Sequence, residues 1–246
     1  MRSFFRTVPA LLLLAASVAA QETTPAVDTT GPTIRRWHFG VSADIGRPVG
    51  AFKKQVDNAA GLQAHLRLRL DDQGLVSLRL HGGWLNYGHE SLRTCLAATP
   101  GCRVNVSLST ANGILMLGIG PEVSVPMGKL RAYGHGLVGM SRFATLSGLG
   151  GGILPDFVAA DENFGDGGFV WSAGGGVELP IGRRTALDLG VSYQGHGRRE
   201  YLTAGGITDN ADGSVSFDVR RSSASLFAIR LGITRSLSWG SHKSAR

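Results

Sequence analysis

The stretch LQAHLRLRL, at residues 62–70, alternates apolar and polar side chains without a break. The apolar members share one parity: Leu62, Ala64, Leu66, Leu68 and Leu70. The polar members share the other: Gln63, His65, Arg67 and Arg69. Side chains of a β-strand point alternately to opposite faces, whereas a helix would scatter the basic residues around its circumference. The stretch therefore predicts a strand with one apolar and one polar face.

The same alternation recurs along the rest of the chain. Eight strands are predicted, near residues 37–45, 62–70, 75–87, 113–125, 130–143, 169–179, 185–194 and 224–239. Tight turns are predicted at residues 71–74, 126–129 and 180–184, and longer polar connections at residues 47–61, 88–112, 145–168 and 195–223. Short and long connections alternate strictly. This sorting is typical of outer-membrane barrels, which have short periplasmic turns and long extracellular loops.

The predicted fold follows from the strands and from what a bilayer allows. No later segment reaches the roughly 18 continuous apolar residues of a spanning helix. Strands that face lipid must close on themselves, because every backbone polar group needs a partner there. We therefore expect an all-β fold, an eight-stranded antiparallel up-and-down transmembrane β-barrel, over residues 34–239, with a C-terminal tail at residues 240–246.

The N-terminus has the features of an export signal. Arg2 and Arg6 precede an apolar run at residues 8–16, and small residues follow it. This pattern predicts a signal peptide at residues 1–20, and a flexible periplasmic leader at residues 21–33. An uncleaved membrane anchor is the less favoured alternative. The formal net charge of +7 does not indicate nucleic-acid binding, because the chain is predicted to be exported.

The polar faces of the strands predict the content of the barrel. An eight-stranded barrel is just wide enough for side chains to fill it. The inward positions carry glycine, serine and charges of both signs. The predicted lumen charge network consists of Asp44, Arg67, Arg69, Arg79, His81, Glu122, Glu178, Asp188 and Arg230. Because a lone buried charge is costly, we expect these groups to pair. An ion path lined by the same charges is the alternative.

Aromatic and basic residues near the strand ends suggest contacts with lipid. The predicted aromatic girdle consists of Trp37, Trp84, Tyr87, Trp171, Tyr193 and Trp239. Ordinary core aromatics of a soluble β-protein are the alternative interpretation. Basic side chains that could pair with phosphates of the outer leaflet are Lys53, Lys54, Arg93, Arg198 and Arg199.

With its signal peptide, eight strands and alternating loops, the chain resembles the small bacterial outer-membrane barrels of the OmpA and OmpX type. The resemblance covers residues 37–239 and rests on pattern rather than on one motif. The stretch FGVSADIGRPVGAF, at residues 39–52, is similar to the start of many such barrels. The resemblance implies insertion by the barrel assembly machinery. Family members usually end on an aromatic residue, whereas here residues 240–246 follow Trp239.

Other candidate sites are weak. Cys95 and Cys102 are predicted to form a disulfide in an oxidising compartment, and no metal site or cofactor is expected. His89 and Ser91 loosely resemble the His/Ser pair of outer-membrane lipid A deacylases, but a chance match is favoured and no enzyme is predicted. The acidic loop at residues 155–166 could hold calcium, although solvated carboxylates are the favoured interpretation.

Two functions follow as hypotheses. The first is a structural or surface-interaction barrel in the cell outer membrane, monomeric, with a filled lumen, four extracellular loops and both termini in the periplasm. Its expected partners are outer-membrane lipid, including lipopolysaccharide, and no nucleic acid. The second is a conduit for small or apolar solutes. A lipid-modifying enzyme is a distant third.

Overall fold

Long strands make up most of the described structure. The computed structural model describes residues 36–95, 105–149, 160–210, 212 and 214–237. The barrel strands are β1 (Trp37–Val49), β2 (Ala59–Arg69), β3 (Val76–Cys95), β4 (Asn105–Met127), β5 (Leu130–Leu149), β6 (Ala160–Pro180), β7 (Thr185–Tyr201) and β10 (Arg220–Leu237). A single 3₁₀ turn at Phe52–Lys54 follows β1, and a small hairpin of β8 (Ile207–Asp209) and β9 (Val215–Phe217) follows β7. The predicted signal peptide, leader, Trp239 and C-terminal tail lie outside the described residues.

The eight long strands form a closed antiparallel barrel in chain order. β1 and β10 close it, with Trp37 opposite Leu237 at one end and Val49 opposite Ser225 at the other. Each barrel strand pairs on both sides within the closed ring, whereas β3 beyond Asn86 and β6 before Trp171 pair on one side only among the described residues. The predicted eight-stranded up-and-down fold is therefore confirmed. In the part of the chain that the structure describes, no helix is long and apolar enough to cross a membrane.

The two ends of the barrel differ in their connections. The turns after β2, β4 and β6 lie at the same end as the start of β1 and the end of β10, and we call this end the turn side. The other four connections lie at the opposite end, which we call the loop side. The three tight turns fall where the sequence predicts them.

The loop-side strand ends extend further than predicted. Residues 88–112 were expected to be a loop, but β3 continues to Cys95 and β4 begins at Asn105. A strand needs only about 9–11 residues to cross a bilayer, whereas β4 has 23. Beyond the lipid both faces of a strand meet water, so the apolar–polar alternation ends while the backbone ladder goes on. The prediction by alternation was therefore too short at this end.

Candidate functional site

A cluster of ion pairs occupies the turn-side half of the lumen. Glu122 Oε2 accepts a hydrogen bond from Arg79 Nη1 at 2.6 Å, and its Oε1 accepts one from Arg67 Nη1 at 3.0 Å. Arg67 Nη1 also donates to Glu178 Oε1 at 2.7 Å, and Arg131 Nη1 donates to Glu178 Oε2 at 2.9 Å. We call these five residues, Arg67, Arg79, Arg131, Glu122 and Glu178, the lumen network. Each carboxylate thus joins arginines from different strands.

The strand register explains why these residues meet. Arg67 on β2 lies directly opposite Arg79 on β3. Like charges at opposite positions of a strand pair repel each other, and Glu122 of β4 offsets this repulsion by accepting a hydrogen bond from each. Glu178 on β6 lies opposite Arg131 on β5. The register thus brings Arg131 to Glu178, whereas Arg67 on β2 reaches Glu178 on β6 across the barrel interior.

A second polar group lies further toward the middle of the barrel. The Tyr133 hydroxyl donates to Asp188 Oδ1 at 2.5 Å and accepts from Arg230 Nη2 at 3.3 Å. Asp44 lies opposite Arg230 in the β1–β10 register and accepts a hydrogen bond from the Ser42 hydroxyl at 2.8 Å. These side chains extend the polar interior of the barrel from the lumen network toward its middle.

The structure places all the predicted lumen charges on inward positions. Arg69 is half-buried at the turn side, and the others are buried: Asp44, Arg67, Arg79, His81, Glu122, Glu178, Asp188 and Arg230. Neither ring nitrogen of His81 has a hydrogen-bond partner among the described residues. The predicted network omitted Arg131 and Tyr133. Both occupy odd-numbered positions of β5, where the side chains point into the lumen. This place in the alternation is the signal that identifies them as lumen residues.

Aromatic rings fill the loop-side half of the lumen. The Phe52 ring, from the 3₁₀ turn, lies 5.1 Å from the Tyr201 ring, 5.7 Å from the Tyr87 ring and 6.0 Å from the Phe143 ring, centroid to centroid. We call these four residues the lumen plug. The Tyr87 hydroxyl donates to the Leu202 carbonyl oxygen at 3.1 Å. The turn after β1 therefore folds back into the barrel mouth.

Tyr87 corrects the predicted aromatic girdle. It is 8% exposed and belongs to the lumen plug instead of the outer surface. Every second residue of β3 counted from the inward Arg79 points into the lumen, and Tyr87 is one of these residues. The prediction relied on its place near the strand end and ignored its face. Tyr87 itself lies at the register shift of the β3–β4 pair, between Asn86 and Gly88.

The side chains of the lumen network and the lumen plug are buried inside the barrel. Arg67 and Arg79 are 1% and 0% exposed, and Phe52 and Phe143 are both 0% exposed. Side chains that lined an open bore would be in contact with solvent. Their burial shows that the space between the strands is taken up by protein at both levels.

The outer surface of the barrel is apolar. Leu117, Met140, Val191 and Ile229 are 57–62% exposed although all four are large and apolar. Similar side chains from every barrel strand surround them. Soluble monomers rarely expose contiguous apolar patches above a few hundred Å², and a closed barrel with polar groups inside and apolar groups outside suits a bilayer. The chain is an eight-stranded antiparallel transmembrane β-barrel.

Outward aromatic residues lie on this barrel as well. The Tyr193 ring on β7 lies 5.3 Å from the Trp171 ring on β6 and 5.1 Å from the Phe227 ring on β10, so Tyr193 contacts both. The Trp84 ring covers Gly113, where a Cβ atom would lie 2.0 Å from the ring. Trp37 begins β1 at the turn side. Trp239 lies outside the described residues.

Comparisons with known proteins add likenesses of fold. No protein-family model matches the chain, and no curated protein matches it. Neisserial surface protein A is similar to it at 13% identity, over 82% of this chain and 97% of that chain, with a TM-score of 0.44. Ail of Yersinia pestis is similar at 10% identity, over 82% and 99%, with a TM-score of 0.41. A major outer membrane protein of Thermus thermophilus is similar at 15% identity, over 81% and 98%, with a TM-score of 0.41.

The remaining candidate residues that the structure describes lie on the loop-side parts of β3 and β6. His89 and Ser91 are exposed on β3. Of the acidic loop, Glu162 accepts hydrogen bonds from Arg142, and Asp166 accepts one from the Glu200 backbone nitrogen at 2.8 Å. Among the described residues, no three of the His, Cys, Asp and Glu side chains form a group that could hold a metal ion.

The predicted disulfide is not tested by the structure. Cys95 ends β3, and Cys102 lies outside the described residues. The disulfide therefore stays a prediction.

Proposed function

We propose that this barrel is a filled anchor in the bacterial outer membrane that presents its loop side at the cell surface. The observation that carries the proposal is the lumen itself, because the lumen plug covers a network of buried ion pairs. An eight-stranded barrel has room for side chains but for little else. The filled interior supports an anchoring and surface-contact role over the alternative of a conduit for small or apolar solutes, and over a lipid-modifying enzyme.

The proposed orientation has both termini in the periplasm. Short turns face the periplasm and long connections face outward in barrels of this kind. Here the turn side carries the start of β1 and the end of β10, and the loop side carries the β8–β9 hairpin. We expect the barrel assembly machinery to insert the chain, and the closure of the sheet within the barrel wall favours a monomer, because no edge is open there to a second copy.

Surface labelling tests this orientation. One epitope tag is inserted after Asp212, which is exposed in the β8–β9 hairpin, and another after Gly128 in the tight turn between β4 and β5. We expect antibody to label the Asp212 tag on intact cells and the Gly128 tag only after the outer membrane is permeabilised. The untagged chain is the control for antibody specificity. Labelling of the Gly128 tag alone on intact cells would contradict the proposal.

Basic side chains at the loop side are proposed to pair with phosphate groups of lipopolysaccharide. Lys53, Lys54, Arg198, Arg220 and Arg221 are exposed there. The Arg199 side chain instead donates a hydrogen bond to the Phe169 carbonyl oxygen at 2.6 Å. Arg93 is on the loop-side part of β3, beyond residue 88. Charge-assisted contacts with phosphate are the strongest that such side chains can make at a membrane surface.

Replacing Lys53 and Lys54 together by glutamine is expected to weaken lipopolysaccharide binding. The change removes two exposed charges and leaves the neighbouring Phe52 in the lumen plug. Binding is measured by titrating the folded barrel, in uncharged detergent, with purified lipopolysaccharide. An affinity equal to that of the unchanged chain would exclude these two lysines as the contact.

A further inference from the structure

A cavity of about 220 Å³ lies at the turn-side mouth of the barrel. It is lined by residues of β1, β2, β5, β6, β7 and β10 and by the turn between β6 and β7. Its charged lining residues are Arg67, Arg69, Arg131, Glu178, Arg183 and Arg184. Five cationic groups therefore surround this space against one carboxylate.

Only some of this positive charge is compensated within the protein. Arg67 and Arg131 pair with Glu178 at 2.7 and 2.9 Å. Arg69, Arg183 and Arg184 form no ion pair with any residue in the described part of the chain. Glu122 also pairs with Arg67 at 3.0 Å and with Arg131 at 3.5 Å, so the five guanidinium groups face two carboxylates and an excess of positive charge remains at the cavity.

The cavity wall also contains buried hydrogen-bonding groups without partners. His38 is 7% exposed and Arg67 is 1% exposed. His38 Nδ1, Arg67 Nε and Arg69 Nε are buried and have no hydrogen-bond partner among the described residues. Buried polar groups in native proteins are nearly always satisfied, so each unsatisfied group indicates a water, an ion or a ligand. Guanidinium groups are suited to planar, bidentate contacts with oxyanions.

We propose that the turn-side cavity binds a small multivalent oxyanion, of which phosphate is the simplest. A volume of about 220 Å³ has room for a phosphate group with part of its hydration shell or for a small phosphate ester. The phosphate could belong to a soluble compound on the turn side or to a lipid headgroup of the leaflet there. The proposal does not depend on which face of the membrane the turn side meets.

The test is a calorimetric titration of the full folded barrel, in zwitterionic detergent, with inorganic phosphate and with pyrophosphate. We expect saturable binding at one site, tighter for pyrophosphate, that weakens as salt is added. Arg69→Gln removes an unpaired cation without breaking the lumen network, and it should weaken binding about tenfold or more. Arg184→Gln should act in the same direction.

Arg235→Gln is the matched control. Arg235 is an exposed arginine on β10 at the same end of the barrel, opposite Thr185, but it does not line the cavity. This variant should bind phosphate like the unchanged chain. The mobility of heated and unheated samples on a gel shows whether each variant is folded. Absence of saturable binding, or equal loss in the Arg69 and Arg235 variants, would overturn the proposal.

A second arm of the experiment separates the two sources of phosphate. The barrel is placed in nanodiscs of phosphatidylcholine, with or without added phosphatidylglycerol, and the phosphate titration is repeated. Competition by phosphatidylglycerol that is lost in Arg69→Gln would assign the site to a lipid headgroup. Phosphate binding unaffected by phosphatidylglycerol would assign it to a soluble compound.

Discussion

Replacing Glu122 by glutamine is expected to lower the free energy of unfolding by about 3–5 kcal/mol, the usual cost of removing one partner from a buried ion pair. Arg79 pairs with Glu122 and with no other carboxylate among the described residues. Both side chains are 0% exposed, so water cannot replace the lost charge. Arg67 keeps Glu178 as a partner. The measurement is unfolding in urea with the barrel reconstituted in lipid vesicles.

Two further variants separate charge compensation from a general sensitivity to substitution. Glu162→Gln makes the same change at the ion pair with Arg142, where both side chains are more than one third exposed. Exposed pairs contribute about 0–1 kcal/mol, so its effect should be small. Adding Arg79→Met to Glu122→Gln should recover part of the lost stability, because it removes the buried Arg79 charge that Glu122→Gln leaves without a counter-charge. Similar losses in the Glu122 and Glu162 variants would contradict the importance of the buried network.

Replacing Phe52 by alanine is expected to cost about 3–5 kcal/mol, as is typical when a large aromatic side chain is removed from a packed core. Phe52 is fully buried, and its ring contacts the other three rings of the lumen plug. It is also the residue that holds the turn after β1 in the barrel mouth. The same unfolding titration measures the loss. Trypsin should in addition cut faster after Lys53 and Lys54 in this variant.

Lys53→Ala is the control for the Phe52 variant, because Lys53 lies in the same 3₁₀ turn and is exposed. Surface changes of this kind usually stay within about 0.5 kcal/mol. Tryptic cleavage after Lys54 should then proceed as in the unchanged chain. If Phe52→Ala left both the stability and the cleavage rate unaltered, the lumen plug would not be what secures the loop-side mouth.

The sequence predicts the inward residues well, because the period of a strand is fixed at two. One face of each strand must meet lipid, so a shift of the strand register by one residue would expose Arg67 or Glu122 to hydrocarbon. The sequence alone therefore predicts on which face of the strand these residues lie. Their partners do not follow, because the contact of Arg67 with Glu178 joins β2 to β6 across the barrel interior and depends on the closed shape of the sheet.

Features outside the lipid-facing segments were harder to predict. Phe52 belongs to a single 3₁₀ turn, and one turn carries no periodic pattern that would mark its ring as buried. β3 and β4 extend into residues 88–112 with polar groups on both faces, where no lipid enforces alternation. The β8–β9 hairpin has only three residues in each strand, which is too short for a reliable signal. The turn-side cavity brings residues from separate strands together, and the turn sequence alone does not show it.

Single-channel recording in planar bilayers tests the central claim, that the lumen is filled, most directly. The folded, purified barrel is added to a bilayer, and a porin of roughly 16–18 strands serves as the positive control. The lumen network and the lumen plug predict no stable conductance steps from this protein at protein-to-lipid ratios at which the porin conducts. Reproducible steps of defined size and ion selectivity from the folded barrel would contradict the account and would favour the conduit.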